Sequence, residues 1–306
     1  METNIKTLYE ESSSKKILIK SSPYLFLLPH LIFFLIFFLI PSVFGIYISF
    51  TDWNLFGTPI FVGLQNYQTI LMNSESTFNT QFYNGLTNTF IFVLFTVPFC
   101  IIVPLLLASA LNAKPKLHKF FQSLFYLPTL LAISAVTLIW SIIFSPSHGP
   151  INNMFDLNVL WTSSQPFAWV VLVVVTVWWT IGGNMIIYQA GLNGISRDYY
   201  EAADIDGATT IQKFFKITLP SLRGQLLYTV VITTIAQFNV YGQPLMLTAG
   251  GPNNSTRVLL MYIQQNAFGS GQSIAGIASA MAVMLGLCIM VISAIQFIFL
   301  TRNDRK

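Results

Sequence analysis

The polar stretch 196–223 holds the residues best suited to binding another protein. Ser196 or Asp198 can cap a short helix, whose positive N-terminal dipole favours acidic side chains in the first turn. Tyr200 and Glu201 follow, and an exposed tyrosine gives contact area at a low cost in conformational entropy. We therefore predict a small helical knob that a partner protein can contact.

The second half of this stretch has an amphipathic pattern. Gly207 can end the first helix, and an apolar series at 211, 214, 215 and 217 then leads to Leu219 and Pro220. The simplest alternative for any three of these residues is a capped surface helix with solvated charge. Their complete spacing favours a docking element.

The sequence lacks the groups that enzymes use for nucleotide or metal chemistry. No G-x-x-x-x-G-K-[ST] loop is present, so ATP binding by this chain is not expected. His30, His118 and His148 lie far apart and predict no metal site. Cys100 and Cys288 fall inside apolar segments and predict packing residues, without a disulfide. We expect neither an enzyme nor a bound cofactor.

Composition indicates a membrane protein. Of 306 residues, 54% are hydrophobic and only 8% are charged, against about a quarter charged in soluble domains. An apolar run of roughly 20 residues forms a helix long enough to cross a bilayer. The fold class predicted is therefore all-α, a polytopic protein with six transmembrane helices, at 23–50, 85–111, 120–144, 167–190, 224–246 and 275–300.

Basic residues predict the orientation of these helices. With the N-terminus inside, 14 of the 15 Lys and Arg residues fall in cytoplasmic segments, and only Arg257 lies outside. This asymmetry follows the positive-inside rule and places both termini in the cytoplasm. The net charge of +4 is thus explained by topology, and nucleic-acid binding is not expected.

The predicted organisation is a single transmembrane domain with two short tails. Residues 1–22 form a cytoplasmic tail, 23–301 the membrane domain with a loop at 191–223, and 302–306 a second tail. The first apolar segment is too long for a signal peptide and predicts an uncleaved helix.

The loop resembles the signature of permease subunits of ATP-binding-cassette (ABC) importers. It reads E-A-A, three residues, Gly, nine residues, Ile, one residue, Leu-Pro. In that family this coupling helix docks on an ATPase, where Glu201 would accept charge-assisted hydrogen bonds. The resemblance assigns ATPase coupling to Tyr200, Glu201, Ala202, Ala203, Asp206, Gly207, Ile217, Leu219 and Pro220.

Further motifs resemble the larger permease of maltose-type carbohydrate importers. These are F-T-D-W at 50–53, V-G-L-Q-N-Y at 62–67, N-T-F at 88–90, F-Y-L-P at 125–128 and L-T-A-G-G-P at 247–252. The resemblance implies the type I ABC importer fold in a bacterial cytoplasmic membrane. It also implies a second permease, two ATPase subunits holding ATP and Mg, an extracellular solute-binding protein and a sugar substrate.

Uncharged polar residues inside the predicted helices are candidates for the substrate path. Thr233, Gln237 and Val240 or Tyr241 recur at helical spacing, and in the maltose-type family the corresponding stretch lines the sugar site. Asn239 is a weaker candidate on another face. Each of these residues can instead form hydrogen bonds between helices. The full candidate set is Thr137, Trp140, Ser141, Thr233, Gln237, Asn239 and Tyr241.

Two other functions remain open at this point. An importer of the same family could carry a non-sugar solute such as an amino acid or peptide. A secondary transporter would usually keep an ionisable residue within the membrane, and the predicted helix interiors contain none. Sodium coupling through neutral oxygens would still be possible, so the signature loop decides between these classes.

Overall fold

The computed structural model describes residues 26–269 and 274–301, which are mostly helical. The predicted tails 1–22 and 302–306 lie outside the described residues. One short hairpin pairs Thr51–Asp52 (β1) with Ile60–Phe61 (β2). The helices are α1 (Phe26–Ile48), α2 (Gln65–Leu71), α3 (Thr77–Asn112), α4 (His118–Leu130), α5 (Ile133–Ile143), α6 (Pro150–Phe155), α7 (Phe167–Asn193), α8 (Arg197–Ile205), α9 (Thr210–Lys213), α10 (Arg223–Phe238), α11 (Leu259–Phe268) and α12 (Ala275–Thr301).

Four helices in the described ranges, α1, α3, α7 and α12, are long and apolar enough to cross a membrane. The predicted span 120–144 is not one straight helix, because α4 and α5 meet at an angle of 103°. Pro128 lies in a tight turn before the bend, and the backbone of Leu131 is extended. Proline supplies no amide for a continuous helix, which favours a break here.

The prediction of a continuous helix over 224–246 is also wrong. Helix α10 ends at Phe238, residues 239–241 leave the helix, and a wider helical turn follows at Pro244–Thr248. Pro244 has no amide hydrogen to donate to the carbonyl of Val240, so a regular helix cannot continue through this point. Tyr241 therefore does not share a helix face with Thr233 and Gln237.

Helices α3 and α7 form the centre of the molecule. Both carry buried small or apolar residues, and their packing is completed by an amide: Asn184 Nδ2 donates to the Cys100 carbonyl at 2.8 Å and to Thr233 Oγ1 at 3.0 Å. One side chain thus joins α7 to α3 and to α10. In a lipid environment such interhelical hydrogen bonds help hold helices together.

The motifs outside the loop hold the opposite end of the helices together. Asn66 Nδ2 donates to the carbonyls of Ser49 and Thr51, at 2.9 and 2.8 Å. Asn88 Nδ2 donates to the carbonyls of Asn254 and Arg257, at 2.8 and 3.0 Å. These side chains bind backbone carbonyls of neighbouring turns and so join segments that are distant in sequence. F-T-D-W, V-G-L-Q-N-Y and N-T-F therefore have a structural role here.

Arg257, the one basic residue predicted outside, takes part in this region. Its guanidinium lies 4.7 Å from the centre of the Tyr262 ring and binds Asn254 and Gln265. Burial raises the pKa of the Tyr262 phenol, although the Arg257 charge lowers it. The phenol therefore stays protonated at neutral pH and donates to Asn84 Oδ1 at 3.1 Å.

Candidate functional site

The predicted knob is helix α8, and both of its ends are capped. At the start, Ser196 Oγ accepts a hydrogen bond from the Asp198 amide at 3.3 Å. At the end, the Gly207 amide donates to the Asp204 carbonyl and the Ala208 amide to the Ala203 carbonyl. This hydrogen-bond pattern requires a residue with a left-handed backbone conformation. Gly207 adopts that conformation, with φ of +71°. The chain thus forms a stable helix of only nine residues.

One side of α8 is exposed and free for a partner. Glu201 and Ala202 are exposed, Ala203 is half-buried, and the Ile205 side chain is 88% exposed. Small residues beside an exposed apolar side chain allow close approach, and the carboxylate of Glu201 can accept charge-assisted hydrogen bonds. This surface is suited to fit into a cleft on another protein.

The other side of α8 is attached to the segment that leads into α10. The Tyr200 hydroxyl lies 2.8 Å from the Thr218 hydroxyl, and Thr218 is buried. From this segment Phe214 and Leu219 pack against an apolar cluster that contains Leu222, which is fully buried. Helix α8 and the start of α10 are therefore connected through a hydrogen bond and packed side chains.

A salt bridge also joins the two helices of the loop, α8 and α9. Thr209 and Gln212 cap α9 reciprocally, which fixes its first turn. Lys213 then lies 2.5 Å from Asp204 on α8, and its side chain is mostly buried while that of Asp204 is exposed. The loop is thus one compact unit.

The nine predicted coupling residues all fall in this unit, in two layers. Outward-facing residues can contact a partner, and inward-facing ones attach the unit to the transmembrane helices. The exposed members are Glu201, Ala202, Asp206, Gly207 and Pro220, and the half-buried members are Tyr200, Ala203, Ile217 and Leu219.

Sequence reasoning missed two exposed apolar residues of the loop and one buried residue that attaches it. Ile211 and Phe215 are 71% and 61% exposed, so the second half of the loop also presents apolar side chains to a partner. The amphipathic pattern identified both as apolar without showing that they face outward. Thr218 had no recognisable signal, because its pairing with Tyr200 depends on how the loop folds back.

The two helix breaks contact each other beside Tyr241, one of the candidate path residues. A Cβ atom on Gly242, just after the break in α10, would lie 2.5 Å from the Ile133 side chain, just after the bend at α4. Trp179 Nε1 donates to the Leu131 carbonyl at 3.1 Å, and Thr129 Oγ1 donates to the Trp179 carbonyl at 3.1 Å. Helix α7 thereby stabilises the bend. Irregular backbone at membrane depth needs such partners or a polar cavity.

Trp140 has the most distinctive environment among the candidate path residues. Its ring stacks on Phe144 at 5.3 Å and meets Trp178 edge-on at 5.4 Å. Its indole Nε1 is buried and has no hydrogen-bond partner. Tyr241 packs against the same apolar cluster as Trp140. This aromatic surface suits a ligand that has apolar ring faces, whereas the buried indole nitrogen is not accessible to a ligand in this arrangement.

The remaining candidates differ in what their polar groups do. Thr137 and Ser141 donate to carbonyls of their own helix, and so does exposed Asn239. Thr233 is buried and accepts from Asn184, as the interhelical alternative expected. Gln237 is buried one turn further along α10. The candidates thus divide between the aromatic region around Trp140 and the polar face of α10.

The chain is similar in sequence to curated transport permeases. The chain is 36% identical over 282 residues to the probable starch degradation products transport system permease protein AmyD of Thermoanaerobacterium thermosulfurigenes, covering 92% of this chain and 94% of that protein. It is 32% identical over 284 residues to the arabinooligosaccharides transport system permease protein AraP of Bacillus subtilis (strain 168), covering 90% and 88%.

A solved structure has the same fold. This chain superposes on a chain of a bacterial alginate ABC transporter in complex with an alginate pentasaccharide-bound periplasmic protein, with a TM-score of 0.80 and 25% identity, covering 95% of this chain and 98% of that one. The family model described as the binding-protein-dependent transport system inner membrane component matches residues 69–306. The chain belongs to this family of inner-membrane transport components.

Proposed function

We propose that this chain is one of two permease subunits of an ATP-driven carbohydrate importer in a bacterial plasma membrane. It crosses the membrane six times with both termini in the cytoplasm. The six crossings are α1, α3, the bent pair α4 and α5, α7, α10 with the turn at Pro244–Thr248, and α12.

The coupling loop is the observation that carries this proposal. It is a doubly capped helix with an exposed carboxylate and exposed apolar side chains, joined through Tyr200 and Thr218 to α10. It also lies on the side that holds nearly all basic residues, which the positive-inside rule places in the cytoplasm. An ATPase subunit would bind there, with ATP and Mg on that subunit.

The exposed apolar surface of the isolated chain supports the presence of partner subunits. Much of α1 is exposed, including Phe33, Phe37 and Phe38, and such apolar surface needs lipid or another membrane protein to cover it. A second, similar permease would enclose the path with this one. Two ATPase subunits and an extracellular solute-binding protein complete the assembly, and alternating access results from rocking of the two permeases.

Carbohydrate is the cargo best supported. Similar permeases are named for starch degradation products and arabinooligosaccharides, and the structural neighbour was solved with an alginate oligosaccharide on its periplasmic protein. In this chain the candidate path combines Trp140 and Tyr241 with Gln237. Aromatic, hydroxyl and amide groups suit an uncharged sugar, and the six apolar runs predicted from the sequence contain no Asp, Glu, Lys or Arg for proton coupling.

The assembly is tested by affinity purification of the tagged chain from its native membrane in mild detergent, followed by mass spectrometry. We expect a second permease and an ATPase to co-purify, and the solute-binding protein encoded with them can then be screened for its sugar. If the chain purifies alone and transports solute in liposomes without ATP, the proposal is wrong and the protein is a secondary carrier.

A further inference from the structure

A basic cleft lies between the coupling loop and the ends of the central helices. It has a volume of about 530 Å³ and is bordered by α8, by the turn after α9 and by the adjoining ends of α3 and α7. Lys114, Arg197 and Lys213 line it, and none of its lining residues is an Asp or a Glu. The cleft is separate from the outward-facing surface of α8 and from the candidate substrate path.

Two of the three positive charges remain available to a ligand. Lys213 is matched by Asp204 at 2.5 Å. Among the described residues, neither Lys114 nor Arg197 forms an ion pair, so the wall has two uncompensated charges. The Asn112 and Asn193 side chains add amide groups to the lining. A dianion or a singly charged ester with several oxygens fits this set of donors.

The cleft also lies at the level where the membrane meets the cytoplasm, and it combines apolar and basic residues as that boundary does. Helices α3 and α7 end at Asn112 and Asn193, where apolar spans give way to charged loops. Leu192, Ile195 and Phe214 form an apolar wall beside the basic one. Basic pockets at the cytoplasmic ends of transmembrane helices bind phosphorylated headgroups through charge and adjacent apolar contacts.

We propose that this cleft binds a phosphate ester, which is either the headgroup of an anionic phospholipid or a soluble phosphorylated metabolite. The bound phosphate would join Lys114, beyond the end of α3, to Arg197, at the start of α8. It would thereby restrict movement of the coupling helix relative to the membrane helices and adjust the rate of ATP hydrolysis. This inference rests on the proposed function in one respect, the cytoplasmic position of the loop.

The test uses the purified complex, stripped of lipid in detergent. Short-chain phosphatidylglycerol and glycerol 1-phosphate are titrated separately, and binding is followed by native mass spectrometry and by ATPase activity. The cleft variant is Lys114→Gln with Arg197→Gln. The matched control is Lys116→Gln with Lys216→Gln, which removes the same charge from two exposed loop residues that do not line the cleft.

We expect the cleft variant to bind the phosphate probe about tenfold more weakly than the wild type and the control to stay within about twofold. Preference for phosphatidylglycerol identifies a lipid headgroup, whereas equal binding of glycerol 1-phosphate identifies a soluble ligand. An equal loss in both variants, or no saturable binding to the wild type, would overturn the proposal. Recovery of the ATPase subunit with every variant is scored separately, so this proposal can fail while the proposed function stands.

Discussion

The hydroxyl of Tyr200 lies 2.8 Å from the hydroxyl of Thr218, and this contact connects the coupling helix to the segment that enters α10. Thr218 is buried, whereas the outer side of α8 is exposed. The contact therefore links α8 to the segment that leads into α10, the helix that carries Thr233 and Gln237. Because it consists of two hydroxyl groups, this link can be tested by substituting either residue.

Removing this link should weaken coupling. Tyr200→Phe deletes one hydrogen bond, worth about 1 kcal/mol, and keeps the ring. We expect severalfold less sugar transported per ATP in proteoliposomes, with normal assembly. Thr218→Val should give a similar defect, and the double variant should be no worse than either single one, because all three lose the same bond. Additive losses would show that the two hydroxyls act independently.

The end of α8 depends on the backbone of Gly207. Its φ of +71° is closed to proline, while asparagine tolerates this region. We expect Gly207→Pro to abolish stimulation of the ATPase by loaded binding protein and Gly207→Asn to keep most of it. The side-chain position is open space, so a steric explanation does not apply. Equal activity of the two variants would contradict the assigned role of the helix end.

Glycines 182 and 183 offer a matched pair for testing the packing at the bend. A Cβ on Gly182 would lie 2.8 Å from the Cα of Tyr126, whereas a Cβ on Gly183 meets nothing within 4 Å. We expect Gly182→Ala to destabilise the protein by about 1–3 kcal/mol through overpacking. Gly183→Ala should be neutral. Thermal unfolding in detergent, followed by tryptophan fluorescence, measures both, and equal melting temperatures would refute the close contact.

Gln237 is the best candidate on α10 for a direct contact with the sugar. Gln237→Leu removes its hydrogen-bonding groups at nearly constant volume, so apparent affinity for the sugar should fall about threefold to tenfold. Thr234→Val is the control, because Thr234 accepts from Gln296 of α12 at 2.9 Å and should affect stability only. Uptake is measured over a panel of sugars. An unchanged profile in the Gln237 variant would remove this residue from the path.

The helix α8 of the coupling loop could be predicted from the sequence, because the residues that start and end it act locally. Ser196 and Gly207 were predicted at the ends of this helix, and each acts on backbone within a few residues. The capping box of Thr209 and Gln212 is equally local but was not predicted. The long apolar runs of α1, α3, α7 and α12 were predicted for a similar reason, since a helix in lipid must satisfy its own backbone.

The tertiary structure decided what depends on contacts between distant segments. The bend at Leu131 and the break after Phe238 lie inside apolar runs that read as continuous helices, and they persist because Trp179 and close packing at Gly242 support them. Likewise, only the folded loop brings Thr218 to Tyr200 and makes Lys114 and Arg197 line the same cleft. The spacing of residues along the chain does not predict such contacts, because they form between elements that are far apart in the sequence.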